Sequence, residues 1–210
     1  NFIDEFAGRD ERLAQTVMSP TYQILGGGWR DRRPNIVDGV AVTGYQIIKF
    51  NEDVVSKNGS AKNENCLPII RYAEVLLNKA EACYELKKTS EANDAVAAIR
   101  ARVGLPYTPK GGAELWTAIR QERRVELAYE GHWYWDLRRW GVAHKQYPEG
   151  LTGYQVHGLK IDDNGDGTFT YEYVSVDNED REFQERMYRL PMPDGELENN
   201  KLVEQYPEWK

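Results

Sequence analysis

Regularly spaced carboxylates stand beside arginines and tryptophans in residues 119–141, IRQERRVELAYEGHWYWDLRRWG. Glu122, Glu126 and Glu130 follow one another at intervals of four residues, and Asp136 comes shortly after them. A glycoside hydrolase uses two carboxyl groups, roughly 5 to 10 Å apart, that flank the scissile bond as acid and base or nucleophile. The same residue types also build structural ion pairs, so the stretch has two possible roles.

The predicted geometry favours ion pairs over catalysis. On a helix, Glu122, Glu126 and Glu130 lie along one line, one turn apart. They would face a substrate from the same side instead of flanking it. Five arginines in the same stretch could neutralise them: Arg120, Arg123, Arg124, Arg138 and Arg139. Because an arginine fork lowers the pKa of a carboxyl group, it suits an ion pair better than a general acid. We therefore predict no catalytic residue, with a hydrolase using Glu126 and Glu130, or Asp136, as the alternative.

The aromatic residues that follow Gly131 also have two possible roles. They are Trp133, Tyr134, Trp135 and Trp140. Their rings could stack on sugars, or they could fill the core between closely spaced helices. Because large aromatic side chains in such a setting are mostly buried, we predict that they belong to the core.

The elements that position these residues are mainly helices. A helix is predicted from near Pro68 through IIRYAEVLLNKAEACYEL, and a second through EANDAVAAIRARVG, ending at Gly104. Their short link predicts an antiparallel hairpin similar to those of tetratricopeptide repeats. A third helix is predicted over about 113–130, and a short fourth over 133–140. Residues 39–50 and 168–176 have the composition of strands.

Composition and charge exclude two classes of partner. The chain has 210 residues and a formal net charge of -7, with no long basic block. It therefore lacks the electrostatic footprint of a nucleic-acid-binding protein. It contains no apolar run long enough to span a membrane. Its first residues, NFIDEFAGRDERLAQ, do not resemble a signal peptide, and we expect them to come from the interior of a longer protein.

No cofactor or metal ion is expected. The three histidines have no spacing typical of zinc sites; they are His132, His144 and His157. Asp162, Asn164 and Asp166 have the spacing of the first half of a calcium loop. Tyr173 stands at the twelfth position, where such a loop needs a bidentate glutamate. We interpret this segment as a hairpin turn rich in Asp, Asn and Gly.

Several strings together resemble the C-terminal half of the SusD/RagB family. They are IIRYAEVLLNKAEACYEL, AVAAIRARVGLP, the stretch at 119–141, GRDERLAQT at 8–16, GYQIIKF at 44–50 and YRLPMPDGELENNKLVEQYPEW at 188–209. The resemblance spans essentially the whole chain, and the string at 119–141 is long and specific. One departure is Trp133, where the family often has Arg or Phe.

The resemblance implies a mainly α fold: a superhelical scaffold of tetratricopeptide-like hairpins with long irregular loops and a few short β-strands. It implies a non-catalytic, lipid-anchored protein on the extracellular face of the outer membrane of Bacteroidetes. Such proteins capture oligosaccharides for a SusC-like TonB-dependent transporter. Residues 1–210 would be the C-terminal part of a single domain, with the N-terminal part and the lipid anchor upstream of Asn1. A pure protein–protein interaction scaffold is the third possibility.

A sugar site needs a flat aromatic surface for the C–H face of the ring, surrounded by planar hydrogen-bonding groups. The glycine-rich loop GGGWRDRRP offers these, with a tyrosine near in sequence. The candidate ligand-binding residues are Trp29, Arg30, Asp31 and Tyr22. The alternative is that Trp29 packs onto the scaffold. Tyr147 and Tyr154, in QYPEGLTGYQ, are the second choice.

Overall fold

The structure is a computed structural model that describes residues 6–18, 43–50, 68–166, 168–177 and 179–210. These residues form six α-helices and one two-stranded sheet, which agrees with the predicted mainly α class. The helices are α1 (Arg12–Thr16), α2 (Tyr72–Glu85), α3 (Thr89–Arg102), α4 (Gly112–Glu126), α5 (His132–Arg139) and α6 (Asp194–Asn199). The strands are β1 (His157–Asp163) and β2 (Phe169–Ser175). Two 3-10 turns, Glu185–Tyr188 and Pro207–Trp209, complete the regular elements of these residues.

Helices α2, α3 and α4 share a core of small and medium-sized side chains. It consists of Ala80, Cys83, Ala92, Ala95, Val96, Leu115 and Ile119. The alanines let α2 and α3 approach closely, and the link of three residues between them makes the pair a hairpin, as predicted. A second cluster joins Leu77 of α2, Ile99 of α3 and Leu127, which follows α4. The hairpin and α4 therefore form one packed layer. The C-terminal end of α4 lies at its edge, where other segments of the chain contact it.

Two helix boundaries differ from the sequence prediction. Helix α2 begins at Tyr72 and not near Pro68, and Tyr72 itself is exposed. Helix α4 ends at Glu126, so Glu130 lies in the following turn and not on the helix. Tyr129 has a φ of 61° and Gly131 a φ of 81°. A left-handed residue cannot continue an α-helix, which accounts for the early end.

One strand prediction is confirmed and one is wrong for the residues described. Strands β1 and β2 form an antiparallel hairpin, with Leu159 opposite Tyr173. Residues 43–50 instead form only an isolated bridge between Val17 and Ile47, because Gly44 and Phe50 take left-handed φ values of 74° and 62°. Residues 39–42 of that predicted strand lie outside the described residues.

The chain divides into two compact units. The first comprises residues 1–132 with 157–176, and the second residues 133–156 with 177–210. Each has its own apolar core. In the first, besides the clusters on the helices, Leu159 and Ile161 of β1 pack against Phe6 and Tyr45. In the second, the core consists of Leu137, Val142, Ala143 and Phe183.

The prediction that all four aromatics after Gly131 are core is half right. Trp133 and Trp140 are partly buried against the core of the second unit. Tyr134 and Trp135 are 40% and 59% exposed. The spacing explains the difference: residues 133, 137 and 140 share one helix face, whereas residue 135 lies on the opposite face.

Candidate functional site

Glu126 is the centre of a buried charge network in the first unit. Its side chain is 1% exposed. It accepts hydrogen bonds from Nη1 of Arg12 at 2.8 Å, from Nη1 of Arg71 at 2.6 Å and from Nη2 of Arg102 at 2.8 and 2.9 Å. Three guanidinium groups therefore surround one carboxylate, which fills its lone pairs with charge-assisted bonds.

The two flanking glutamates are held in the same way. Glu122 accepts from Nη1 of Arg12 at 2.6 Å and from Nη1 of Arg100 at 3.1 Å. Glu130 accepts from Nζ of Lys49 at 2.5 Å and from Nε and Nη2 of Arg71 at 2.6 and 2.7 Å. Each of the three glutamates therefore has at least two cationic donors.

Arg12 reaches the network from the first short helix. Asp10 accepts a hydrogen bond from the backbone N–H of Arg12 at 3.0 Å and from its Nε at 3.0 and 3.1 Å. The fork of Arg12 thus spans Asp10 on one side and Glu122 with Glu126 on the other. This pairing is what allows an arginine side chain that is only 6% exposed to remain charged.

Two cations of the network also terminate helix α4. Nζ of Lys49 donates to the backbone carbonyls of Glu126 at 3.0 Å and of Ala128 at 2.9 Å. Nη2 of Arg71 donates to the carbonyl of Glu126 at 2.6 Å. The last carbonyls of a helix lack intrahelical donors and carry partial negative charge, so cations placed there satisfy both needs. Segments far apart in sequence are thereby fastened to the end of α4.

The pKa values agree with ion pairing. Burial by itself would raise the pKa of Glu126, but hydrogen bonds from Arg71 and Arg12 and the charges of Arg71 and Arg102 outweigh it and hold it below its ordinary value. Burial opposes the shift at Glu130 too, and Arg71 and Lys49 hold its pKa down. A general acid needs a pKa raised towards neutrality, which is the opposite direction.

A pocket of about 270 Å³ opens beside the network. Its lining residues are Arg12, Gln15, Thr16, Lys49, Phe50, Arg71, Arg102, Val125 and Glu126. Glu126 is the acid among the lining residues that the structure describes, and three arginines bond to its oxygens. Among the described residues of the lining, the only carboxylate that a molecule in this pocket would meet is therefore one already bonded to arginines.

The predicted ion pairing of the three glutamates is confirmed, but their partners were not found from sequence. The cations come from Arg12, Lys49, Arg71, Arg100 and Arg102. Of the neighbouring arginines that we expected to supply them, Arg123 donates to Asn78 and Arg138 to the carbonyls of Met187 and Tyr188. Arg139 does pair with buried Asp136, at 2.9 Å. The sequence did hold a clue to these distant partners: each of the five cations lies in one of the strings that resemble the family.

The shifted pKa of Glu130 predicts a pH dependence of stability. A carboxyl group whose pKa is lower in the folded state stabilises the fold above its unfolded pKa of about 4.3, and this contribution disappears as the pH falls through the folded value. We expect the difference in unfolding free energy between wild type and Glu130→Gln to be largest at pH 6 to 7. It should shrink as the pH falls below about 4.3 and through the lower folded pKa, where the Glu130 carboxylate itself becomes protonated and uncharged. Denaturant titrations at several pH values measure it.

The exposed Glu198 provides the control for this experiment. It lies on α6 and forms no ion pair with another residue in the described part of the chain. Glu198→Gln should leave the unfolding free energy within about 0.5 kcal/mol of wild type at every pH. A Glu130→Gln difference that stays constant between pH 7 and pH 3 would contradict the role assigned to the carboxylate.

The first-choice ligand residues cannot be compared with the structure. Trp29, Arg30, Asp31 and Tyr22 lie outside the described residues, so they stay a prediction. The second choice falls in the second unit and is described. The rings of Tyr147 and Tyr154 lie 4.9 Å apart between centroids, inclined at 44°. The guanidinium of Arg181 lies 5.8 Å from the centroid of Tyr154. The structure therefore brings the second pair together.

The segment with calcium-like spacing forms the predicted hairpin turn. The carboxylate of Asp166 accepts hydrogen bonds from the backbone N–H of Thr168 at 2.9 Å and from its hydroxyl at 2.6 Å. The side chain of Asn164 bonds to Thr168 and Thr170. Within the described part of the chain, no three His, Cys, Asp or Glu side chains are grouped as a metal ion would need. The polar side chains of the turn thus bond to one another across it.

Comparison with known proteins finds one family model that matches nearly the whole sequence and individual relatives that match parts of it. The profile of the SusD family matches residues 1–209. SusD-like protein P38 of Formosa agariphila is 40% identical over 127 residues, which are 56% of this chain and 25% of that protein. SusD-like protein P2 of the same organism is 35% identical over 125 residues, 53% of this chain and 25% of that protein. The chain thus aligns with about a quarter of the length of each of these curated relatives.

Solved structures agree with the fold. A SusD-like protein from Bacteroides fragilis superposes with a TM-score of 0.65 at 29% identity, over 80% of this chain and 31% of that one. A SusD superfamily protein from Parabacteroides distasonis superposes with a TM-score of 0.58 over 98% of this chain and 40% of that one. At 23% identity the second shows the fold alone. The tetratricopeptide-like helical fold predicted from the sequence is thereby confirmed.

Proposed function

Because this chain belongs to the SusD family, we propose that it captures oligosaccharides without cleaving them and delivers them to a SusC-like TonB-dependent transporter. SusD-like proteins are generally non-catalytic and known for glycan binding. The chain aligns with only about a quarter of the length of each curated relative, so the activity proposed is that of the whole protein. Capture followed by release suits dissociation constants between about 1 mM and 1 μM, or about -4 to -8 kcal/mol.

The observation that supports capture over cleavage is that the candidate catalytic carboxylates are bonded to arginine and lysine side chains. Glu126 and Glu130 are the pair that a hydrolase would use, and both are held by arginine or lysine at 2.5 to 2.9 Å. Asp136 is buried and bonded to Arg139. Their geometry and their charge partners suit a scaffold that holds helices together.

The proposed location is the extracellular face of the outer membrane. Among the residues described, no helix combines the length and the apolar character needed to cross a bilayer. We propose attachment through a lipid anchor, as is typical of the family. Such attachment would keep the binding surface beside the transporter.

One experiment tests capture against cleavage and against a pure docking role. The intact protein is incubated with a panel of polysaccharides, and both binding and newly formed reducing ends are measured. Retention of a glycan without new reducing ends is the expected result. New reducing ends would favour a hydrolase, whereas purification with a membrane partner without affinity for any glycan would favour an interaction module.

Trp29 is proposed as the main stacking residue. We expect Trp29→Ala to weaken retention of the intact protein in gels that contain the preferred glycan by about tenfold, equivalent to about 1.4 kcal/mol. Trp29→Phe keeps an aromatic face and should retain most of the affinity. Affinity electrophoresis at several glycan concentrations measures both. Unchanged retention of Trp29→Ala would remove this residue from the site.

A further inference from the structure

We propose that Tyr147 and Tyr154 form a second glycan contact, in the second unit, that accepts neutral sugar rings. This inference rests on the proposed function of glycan capture and adds to it a site and a ligand class. The two tyrosines lie in residues 145–155, a turn that links helix α5 to strand β1. Rigidity, ring geometry, polar surroundings and charge support the proposal.

The turn is held rigidly by its own hydrogen bonds. The N–H of Tyr147 donates to the carbonyl of Thr152 at 2.9 Å, and the N–H of Thr152 donates to that of Lys145 at 3.1 Å. The N–H of Gly153 donates to the carbonyl of Arg181 at 2.8 Å. A Cβ at Gly150 would lie 2.3 Å from the carbonyl oxygen of Lys145, so the chain packs against itself at a distance that only glycine permits. A rigid turn loses little entropy when a ligand binds.

The ring geometry leaves an aromatic surface open to solvent. Tyr147 is 48% exposed. Tyr154, with its ring inclined at 44° to that of Tyr147, is partly buried and supports the exposed ring. A tyrosine offers an apolar face for the C–H groups of a sugar ring and a hydroxyl for its polar edge. The pair therefore supplies the flat surface that a sugar site needs.

Planar polar groups lie close to Tyr154 in space or next to it in sequence. Arg181 donates to the carboxylate of Asp177 at 3.2 and 2.7 Å, which fixes its fork near the ring of Tyr154. The side-chain amide of Gln155 donates to Asp180 at 3.3 Å. Fixed guanidinium, amide and carboxylate groups can hydrogen-bond to adjacent hydroxyls of a sugar. The arrangement combines an apolar floor with a few oriented polar groups, as small-molecule sites do.

The local charge selects against anionic glycans. Residues 177–181 contain Asp177, Glu179 and Asp180 against one cation, Arg181, so their formal charge is -3 plus 1, or -2. The positive charge of Arg181 is directed at Asp177, which leaves the exposed Glu179 and Asp180 to repel another anion. A uronate or sulfate ester would be repelled, whereas a neutral sugar would not. We therefore assign the contact to neutral oligosaccharides.

The test uses affinity electrophoresis of the intact protein in gels that contain starch, xylan, galactomannan or mixed-linkage β-glucan, and in gels that contain alginate or carrageenan. Tyr147→Ala should weaken retention by a neutral polysaccharide at least fivefold, and Tyr147→Phe less than twofold. Tyr173→Ala is the matched control, because Tyr173 is 61% exposed on strand β2 of the first unit. It should bind as wild type does. Thermal unfolding of each variant checks that the fold is kept.

The outcomes separate this inference from the proposed function. Wild-type protein that binds no polysaccharide of either group would overturn both. Wild-type protein that binds a neutral polysaccharide equally well after Tyr147→Ala would overturn the second contact and leave glycan capture standing. Wild-type protein retained only by alginate or carrageenan would overturn the assignment to neutral sugars.

Discussion

Glu126→Gln is expected to lower the free energy of unfolding by about 3 to 5 kcal/mol, the range for removing one partner of a buried charge cluster. Gln has nearly the same shape but no charge, and its amide group has two N–H donors. Arg12, Arg71 and Arg102 would then surround a neutral side chain in a buried setting, and at least one donor would face another donor. Most of the loss is the cost of removing one anion from the buried guanidinium of Arg12 and the partly buried one of Arg71.

Chemical denaturation of the intact protein at pH 7 measures this effect. Glu114→Gln is the matched control, because Glu114 lies exposed in the first turn of the same helix. It should change stability by about 0.5 kcal/mol or less. If Glu126→Gln cost no more than the control, the network would not hold the scaffold together. Under conditions where the variant remains folded, its glycan affinity should equal that of wild type, since the role assigned to Glu126 is structural.

Leu77→Ala is expected to lower the free energy of unfolding by about 2 to 5 kcal/mol. Leu77 is fully buried on α2, where it packs with Ile99 of α3 and Leu127 after α4. Truncation removes apolar contacts and leaves a cavity at the point where all three helical segments meet. The size of the loss depends on how far the neighbouring side chains can relax into the space.

Leu86→Ala is the control for Leu77→Ala, because it makes the same substitution at an exposed position. Leu86 directly follows α2 and is 68% exposed, so its truncation should cost well under 1 kcal/mol. Denaturation midpoints, read with the slope of the transition, separate a loss of stability from a change in the unfolded state. Equal effects of the two substitutions would contradict the packing described for the hairpin.

Local patterns in the sequence were sufficient for the helical framework. The apolar periodicity and the short link predicted after Leu86 indicated the hairpin of α2 and α3, and Gly104, with a φ of 67°, follows the end of α3. Hairpins, helix ends and turns depend on neighbouring residues, so their causes are visible in one short window. The spacing of Glu122 and Glu126 likewise placed both carboxylates on one helix line, which disfavoured catalysis before any coordinates were known.

Side-chain exposure and the residues that bind a helix end depend on contacts between distant segments, so local sequence patterns did not predict them. Exposure of Tyr134 and Trp135 depends on which face of α5 meets the core. Lys49 and Arg71, which bind the carbonyl of Glu126 at the end of α4, lie far from this helix in sequence. The spacing within α5 separates two faces of the helix, but only the packing shows which of them is buried.

The sequence by itself determined that the acids of residues 119–141 form ion pairs on a helical scaffold. Only the tertiary structure decided which cations they meet: Arg12 lies 110 positions from Glu122, and Lys49 lies 81 positions from Glu130. The physical reason is that charge and helical spacing are local properties, whereas a buried pair forms only where packing brings two distant segments within about 3 Å. Apolar side chains such as Leu77 and Ile119 establish that packing. Because they carry no charge, their positions in the sequence do not indicate which cation will meet which glutamate.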